Sequence, residues 1–133
     1  MSSKDVRLSV THVSSDTEVV VRVYRSHKRM LRAARRYDPQ LTCGYETNAV
    51  CQGRQMGGLL TGRRVIIRLC RDRLDLEVVA HEVSHAALAI YGASTQYEPA
   101  GQMFSINNET LAYIYSGMLA AIVKQLTKRK LMH

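Results

Sequence analysis

Two runs rich in Val and Thr, Val6 to Val13 and Glu18 to Tyr24, are separated by the polar residues Ser14, Ser15 and Asp16. β-Branched side chains fit a pleated, half-buried surface and the polar triplet supplies a turn, so the pattern predicts a β-hairpin. After Ser26 the period changes: Met30, Leu31, Ala34 and Tyr37 recur at helical spacing, with Ser26 as N-cap and Asp38-Pro39 as the stop. Residues 41–62 hold five glycines and alternate only weakly, which predicts short strands, turns and an exposed edge. Arg64 to Cys70 reads as a strand centred on Val65, Ile66 and Ile67, and Leu74 to Tyr91 as a helix with Gly92 as its C-terminal stop. Gly92 to Ile106 is then expected to be loop. Asn107 or Asn108 caps a last helix running to about Leu126, with Leu111, Ile114, Tyr115, Met118, Leu119, Ile122 and Leu126 as its buried stripe.

Composition fits these elements into one domain, residues 1–133. A chain of 133 residues, 46% hydrophobic and 23% charged, can bury a core without disulfides and is neither a disordered nor a fibrous composition. The three cysteines, Cys43, Cys51 and Cys70, contain no C-x-x-C pair, so neither a disulfide framework nor a zinc finger is indicated. The uncharged stretch Thr110 to Val123 is 14 residues long, short of the roughly 20 that cross a bilayer. The first residues lack the apolar run of a secretion signal, so a cytoplasmic protein without a membrane partner is expected. The net charge is +8, but Lys and Arg are absent between Arg73 and Lys124, where Asp75, Glu77, Glu82, Glu98, Glu109 and two histidines lie. An anionic segment containing histidine is what a cation site requires.

Those histidines belong to His81-Glu82-Val83-Ser84-His85, inside an otherwise apolar or small-residue run from Val78 to Leu88. On a helix, positions i and i+4 lie one turn apart on one face, so both imidazoles can reach a single Zn²⁺. Glu82 projects about 100° around the helix from His81, toward the side where a water would sit, and is the candidate general base. The apolar neighbours suit a buried helix interrupted by polar groups only at the three motif residues. A zinc site needs a further protein ligand, and His12, His27, His133, Glu98 and Glu109 are the candidates. Glu109 is preferred. It opens the last helix, where a carboxylate is favoured by the helix dipole, and it follows His85 by 24 residues, room for a loop and an antiparallel return. Ala112, Ser116, Gly117 and Ala120 near its face would allow close helix approach. Glu98, held extended by Pro99, is the weaker candidate.

With these residues the sequence resembles the zincin metallopeptidases, and within them the gluzincins, whose H-E-x-x-H is completed by a downstream Glu. It is also similar to small phage- and prophage-encoded metallopeptidase-like proteins. The match covers residues 65 to 120: the strand Val65 to Leu69, His81 and His85 as ligands, Glu82 as base, and Glu109 in Asn108-Glu109-Thr110-Leu111-Ala112-Tyr113 as third ligand. A metzincin would carry Gly and His where this chain has Leu88 and Tyr91, and a peptide deformylase would carry Asp where it has Ser84. The resemblance implies an α+β, minimal zincin-like fold. Its parts are a small, mainly antiparallel sheet, a basic helix, the H-E-x-x-H helix and a C-terminal ligand helix. It further implies peptide-bond hydrolysis by a zinc-activated water, with Tyr113, or Tyr97 in the loop, as oxyanion donor. An extended protein or peptide substrate could add a strand at the Gly-rich region Cys43 to Gly58. A zinc hydrolase of another bond, and a metal-stabilised binding domain without turnover, are the alternatives.

One feature falls outside the motif. Arg22, Arg25, Lys28, Arg29, Arg32, Arg35 and Arg36 place seven cations within fifteen residues, and 25, 29, 32 and 36 form a stripe along one helix face. Such a stripe contacts nucleic-acid phosphates or an acidic protein partner in some proteins and is a solvated, solubilising face in others.

Overall fold

The structure, a computed structural model, describes residues 4–12, 16–56, 59–94 and 106–132. The Val-rich runs form β1 (Val6–His12) and β2 (Thr17–Tyr24), paired antiparallel from Val6 opposite Val23 to His12 opposite Thr17. Asp16 enters β2 with φ 56°, a left-handed conformation that Asp tolerates better than most residues. Next comes α1 (His27–Tyr37), whose Ser26 Oγ accepts from the Arg29 amide at 3.2 Å. It ends at Asp38, which adopts the extended backbone favoured before proline.

Two more strands follow, β3 (Val50–Met56) and β4 (Leu59–Cys70). The sheet order is β1-β2-β4-β3, with β2 and β4 parallel and the other two pairs antiparallel. The expected α+β class with a mainly antiparallel sheet therefore holds. β3 is the expected edge. β4 begins five residues before the predicted Arg64, because its extra residues pair back onto β3 at Gln55–Leu60 and Met56–Leu59. The register shifts between Gly53 and Gln55, and the Leu60 side chain packs over Gly53: a Cβ there would stand 2.7 Å from Leu60 Cδ1.

A 3-10 turn at Arg71–Arg73 leads to α2 (Leu76–Ser94), and α3 (Ile106–Lys128) closes the fold. Asp75 caps α2, its Oδ1 accepting from the Val78 amide at 2.8 Å. Two predicted boundaries are corrected. Gly92 does not stop α2, which runs through it to Ser94; it has no left-handed φ, and nothing lies within 4 Å of where its Cβ would be. Neither Asn107 nor Asn108 precedes α3; both lie in its first turn, after Ile106. At its other end Lys130 takes φ 59° and the Leu131 amide reaches back to the Leu126 carbonyl at 2.9 Å, a Schellman-type closure that brings Met132 into the core.

Alternation along the strands divides the packing between the two faces of the sheet. Val19, Val21, Val23, Val65, Ile67 and Leu69 point to one face and pack with Val79, Val83, Ala86, Ala87 and Ile90 of α2 and Ile114, Met118, Ile122 and Leu126 of α3. The expected stripe on α3 is thus the buried one. The opposite face holds Tyr24 and Cys70 against Met30 and Leu31 of α1, a much smaller cluster. Tyr37, expected in that stripe, is instead exposed, its ring 5.5 Å from the Arg68 guanidinium.

Candidate functional site

The α2 sequence carries no charged residue between Glu82 and its last residue, and its apolar positions pull one side onto the sheet. That rotation sets the three motif side chains apart. Glu82 is buried at 6% exposure, whereas His81 and His85 are exposed on the adjoining side. The sequence predicts that all three interrupt a buried helix, but only Glu82 is buried, because the 3.6-residue period turns the histidines away from Val79, Val83 and Ala86. The helical spacing does bring the two rings together. His81 Nε2 and His85 Nε2 stand 3.2 Å apart, with ring centroids at 4.8 Å and planes at 77°. Two nitrogens bound at zinc distances to one tetrahedral ion stand roughly 3.3 Å apart, so the pair fits that ion.

The motif faces β3 and the loop before it. A cavity of about 390 Å³ is lined by His81, Glu82, His85 and Ala89 of α2, by Cys51, Gln52 and Gly53 of β3, and by loop residues Leu41 to Cys43. A second, of about 460 Å³, is lined by Glu46 to Ala49, by Asp75 and Glu77, and again by His81 and Glu82. The loop wall is tied back by three side-chain donors. Arg35 Nη2 donates to the Cys43 carbonyl at 2.7 Å, His27 Nε2 donates to the Thr47 carbonyl at 2.7 Å, and Arg73 donates to the Tyr45 carbonyl beneath the Tyr45 ring. His27 is therefore engaged with this wall.

Glu82 accepts no hydrogen bond among the described residues, and burial raises its pKa above the ordinary carboxylate value, partly offset by His81. A carboxylate so placed binds a proton more readily than one in water, the property a general base shares with the acid it becomes. Cys51, opposite Ile67 in the ladder and so on the α2 face, was not singled out by the sequence. Burial first, and the Glu82 charge second, push its thiol up to about 12, so it is protonated at neutral pH. The strand period alone would have placed it at the cavity, had the register of β3 been legible.

The remaining candidates are not gathered there. Glu109 is exposed in the first turn of α3, and among the described residues no three His, Cys, Asp or Glu side chains form a group able to hold a metal ion. Ala112, one turn after Glu109 on the same face, does line a crevice with Ser84 and Leu88 of α2. Tyr113 is 71% exposed and lines neither cavity. Tyr97, Glu98, His133 and the side chain of His12 lie outside the described residues. No helix among the described residues is long and apolar enough to cross a membrane. Comparison with protein-family models, with curated proteins and with solved structures finds no match to the chain.

Proposed function

We propose that the protein is a zinc-dependent metallopeptidase in which His81 and His85 hold the ion and Glu82 is the general base. The observation that carries the reading is the 3.2 Å approach of the two Nε2 atoms beside a buried carboxylate that has no hydrogen-bond partner among the described residues. Zinc, when bound, supplies Lewis acidity and brings the pKa of a coordinated water toward about 7. Glu82 takes a proton from the attacking water and returns it to the leaving amine; its raised pKa suits both transfers. The edge strand β3 lines the cavity that holds the motif, which supports an extended peptide lying along it as an added strand.

Glu109 is assigned as the third ligand from its position: the first turn of α3, on the face whose Ala112 meets α2. Glu98 is the competing carboxylate. Tyr113 is assigned as the oxyanion donor on sequence alone, and its exposure gives the assignment no further support. The test is hydrolysis of a peptide library by the zinc-loaded chain and by Glu82→Gln. Cleavage by the wild type and none by the variant is expected. A zinc-binding chain that cleaves no peptide would leave the alternatives, hydrolysis of another bond or a metal-stabilised binding domain.

A further inference from the structure

The face of the sheet opposite the motif carries a second polar construction. Arg68 on β4 is only 6% exposed, yet among the described residues no carboxylate pairs with it. Its Nε donates to Gln52 Oε1 at 2.7 Å and its Nη1 to the Tyr24 hydroxyl at 2.6 Å, while Gln52 Nε2 donates to the Ala34 carbonyl at 3.0 Å. The guanidinium is held by neutral partners and faces the Tyr37 ring at 5.5 Å, so no anion among the described residues balances its charge.

In front of this network lies a pocket of about 160 Å³, lined by Tyr24, Arg29, Arg32, Ala33 and Arg36. Tyr24 is itself 6% exposed, and its hydroxyl oxygen accepts from Arg68, so its own proton is left for another acceptor; none is present among the described residues. Arg29 is bound to Asp5 at 2.6 Å, whereas Arg32 and Arg36 make no ion pair or hydrogen bond among the described residues. Two unengaged guanidiniums, a buried hydroxyl donor and an unbalanced cation behind it are the complement of a tetrahedral oxyanion.

We propose that this pocket binds a phosphate group, and that the phosphate belongs to the backbone of a nucleic acid. The charge extends well beyond one anion. Arg7, Arg22 and Arg68 are cross-strand neighbours in one row, Arg22 and Arg25 are exposed, and the helix places Arg29 to Arg36 along roughly 10 Å, the axial length of about three phosphates of one strand. Cross-strand like charges oppose folding unless something offsets them; Glu18 offsets Arg7 at 3.8 Å, and Arg22 has no ion pair among the described residues. The site lies on the sheet face away from His81 and His85 and is independent of the peptidase reading.

The test is binding of a labelled mixed-sequence oligonucleotide to the full chain at several salt concentrations. The variants are Arg32→Ala/Arg36→Ala and a charge-matched control, Lys128→Ala/Lys130→Ala. The pocket variant should bind at least tenfold more weakly, with a salt slope lower by roughly 1.4–1.8, and the control should change less than threefold. Equal losses in the two variants, or no binding by the wild type at low salt, would overturn the proposal. So would displacement of the oligonucleotide by millimolar inorganic phosphate at matched ionic strength, because the pocket would then be a small-anion site.

Discussion

The two faces of the sheet are made by alternate residues of the same strands, yet they treat polar groups in opposite ways. On the α2–α3 face the core is a large apolar cluster, and the buried polar groups Thr17 and Glu82 stand at its margin, Glu82 beside two exposed histidines. On the α1 face the apolar cluster is small, and a buried arginine is threaded through it by Tyr24, Gln52 and the Ala34 carbonyl. The first arrangement leaves free donors for an ion; the second leaves a free positive charge. A large apolar core can carry the energetic load while its edge is given to chemistry, whereas a small one must satisfy its polar groups internally or through a ligand.

The largest effect belongs to Glu82. Glu82→Gln should lower kcat/KM of the zinc-loaded chain for any peptide it cleaves by about 10²–10⁴-fold and leave zinc content unchanged; undiminished activity would remove Glu82 from the mechanism. Next comes the apolar face, where Ile67→Ala should cost about 2–5 kcal/mol in urea unfolding. On the other face Gln52→Ala should cost about 1–3 kcal/mol by the same measurement, because Arg68 Nε loses its acceptor inside the fold. If Gln52→Ala is neutral, the polar network does not hold α1 to the sheet. The smallest effect is Asp5→Asn. The Arg29 guanidinium holds the Asp5 carboxyl below its usual range. Its stabilisation is therefore present above the unfolded-state pKa and is lost as pH falls through the lower folded value. The variant should be less stable by at most about 1 kcal/mol near pH 7, and the difference should vanish in acid; a gap that persists there would mean that the pair is not the cause.

Where hydrophobic period was strong, the elements were legible: the Val-rich hairpin, the capped α1 and the long stripe of α3 all lie where alternation or helical spacing put them. The spacing of His81 and His85 likewise sufficed to bring their rings together. Legibility failed for three physical reasons. Gly92 reads as a stop only if its backbone turns left-handed, and it does not. In β3 the shift beyond Gly53 breaks the alternation, which hid Cys51 at the cavity and lengthened β4. Arg68 sits in a strand of Val and Ile where an outward, solvated cation is the ordinary reading, and it is buried by tertiary neighbours, Tyr24 of β2, Gln52 of β3 and Tyr37 of α1. Glu109 is a tertiary question: its turn of α3 is found, but sequence spacing does not tell how far its carboxylate lies from the histidines.

Whether His81 and His85 hold zinc is read by elemental analysis of the metal-replete chain, with His81→Ala, Glu109→Ala and Glu98→Ala prepared in parallel. About one zinc per wild-type chain, lost with His81→Ala and Glu109→Ala and retained with Glu98→Ala, is the predicted result. Loss with Glu98→Ala in place of Glu109→Ala would move the third ligand to the loop. A metal-replete wild type without zinc would contradict the account and leave the two imidazoles as a mutually hydrogen-bonded surface pair.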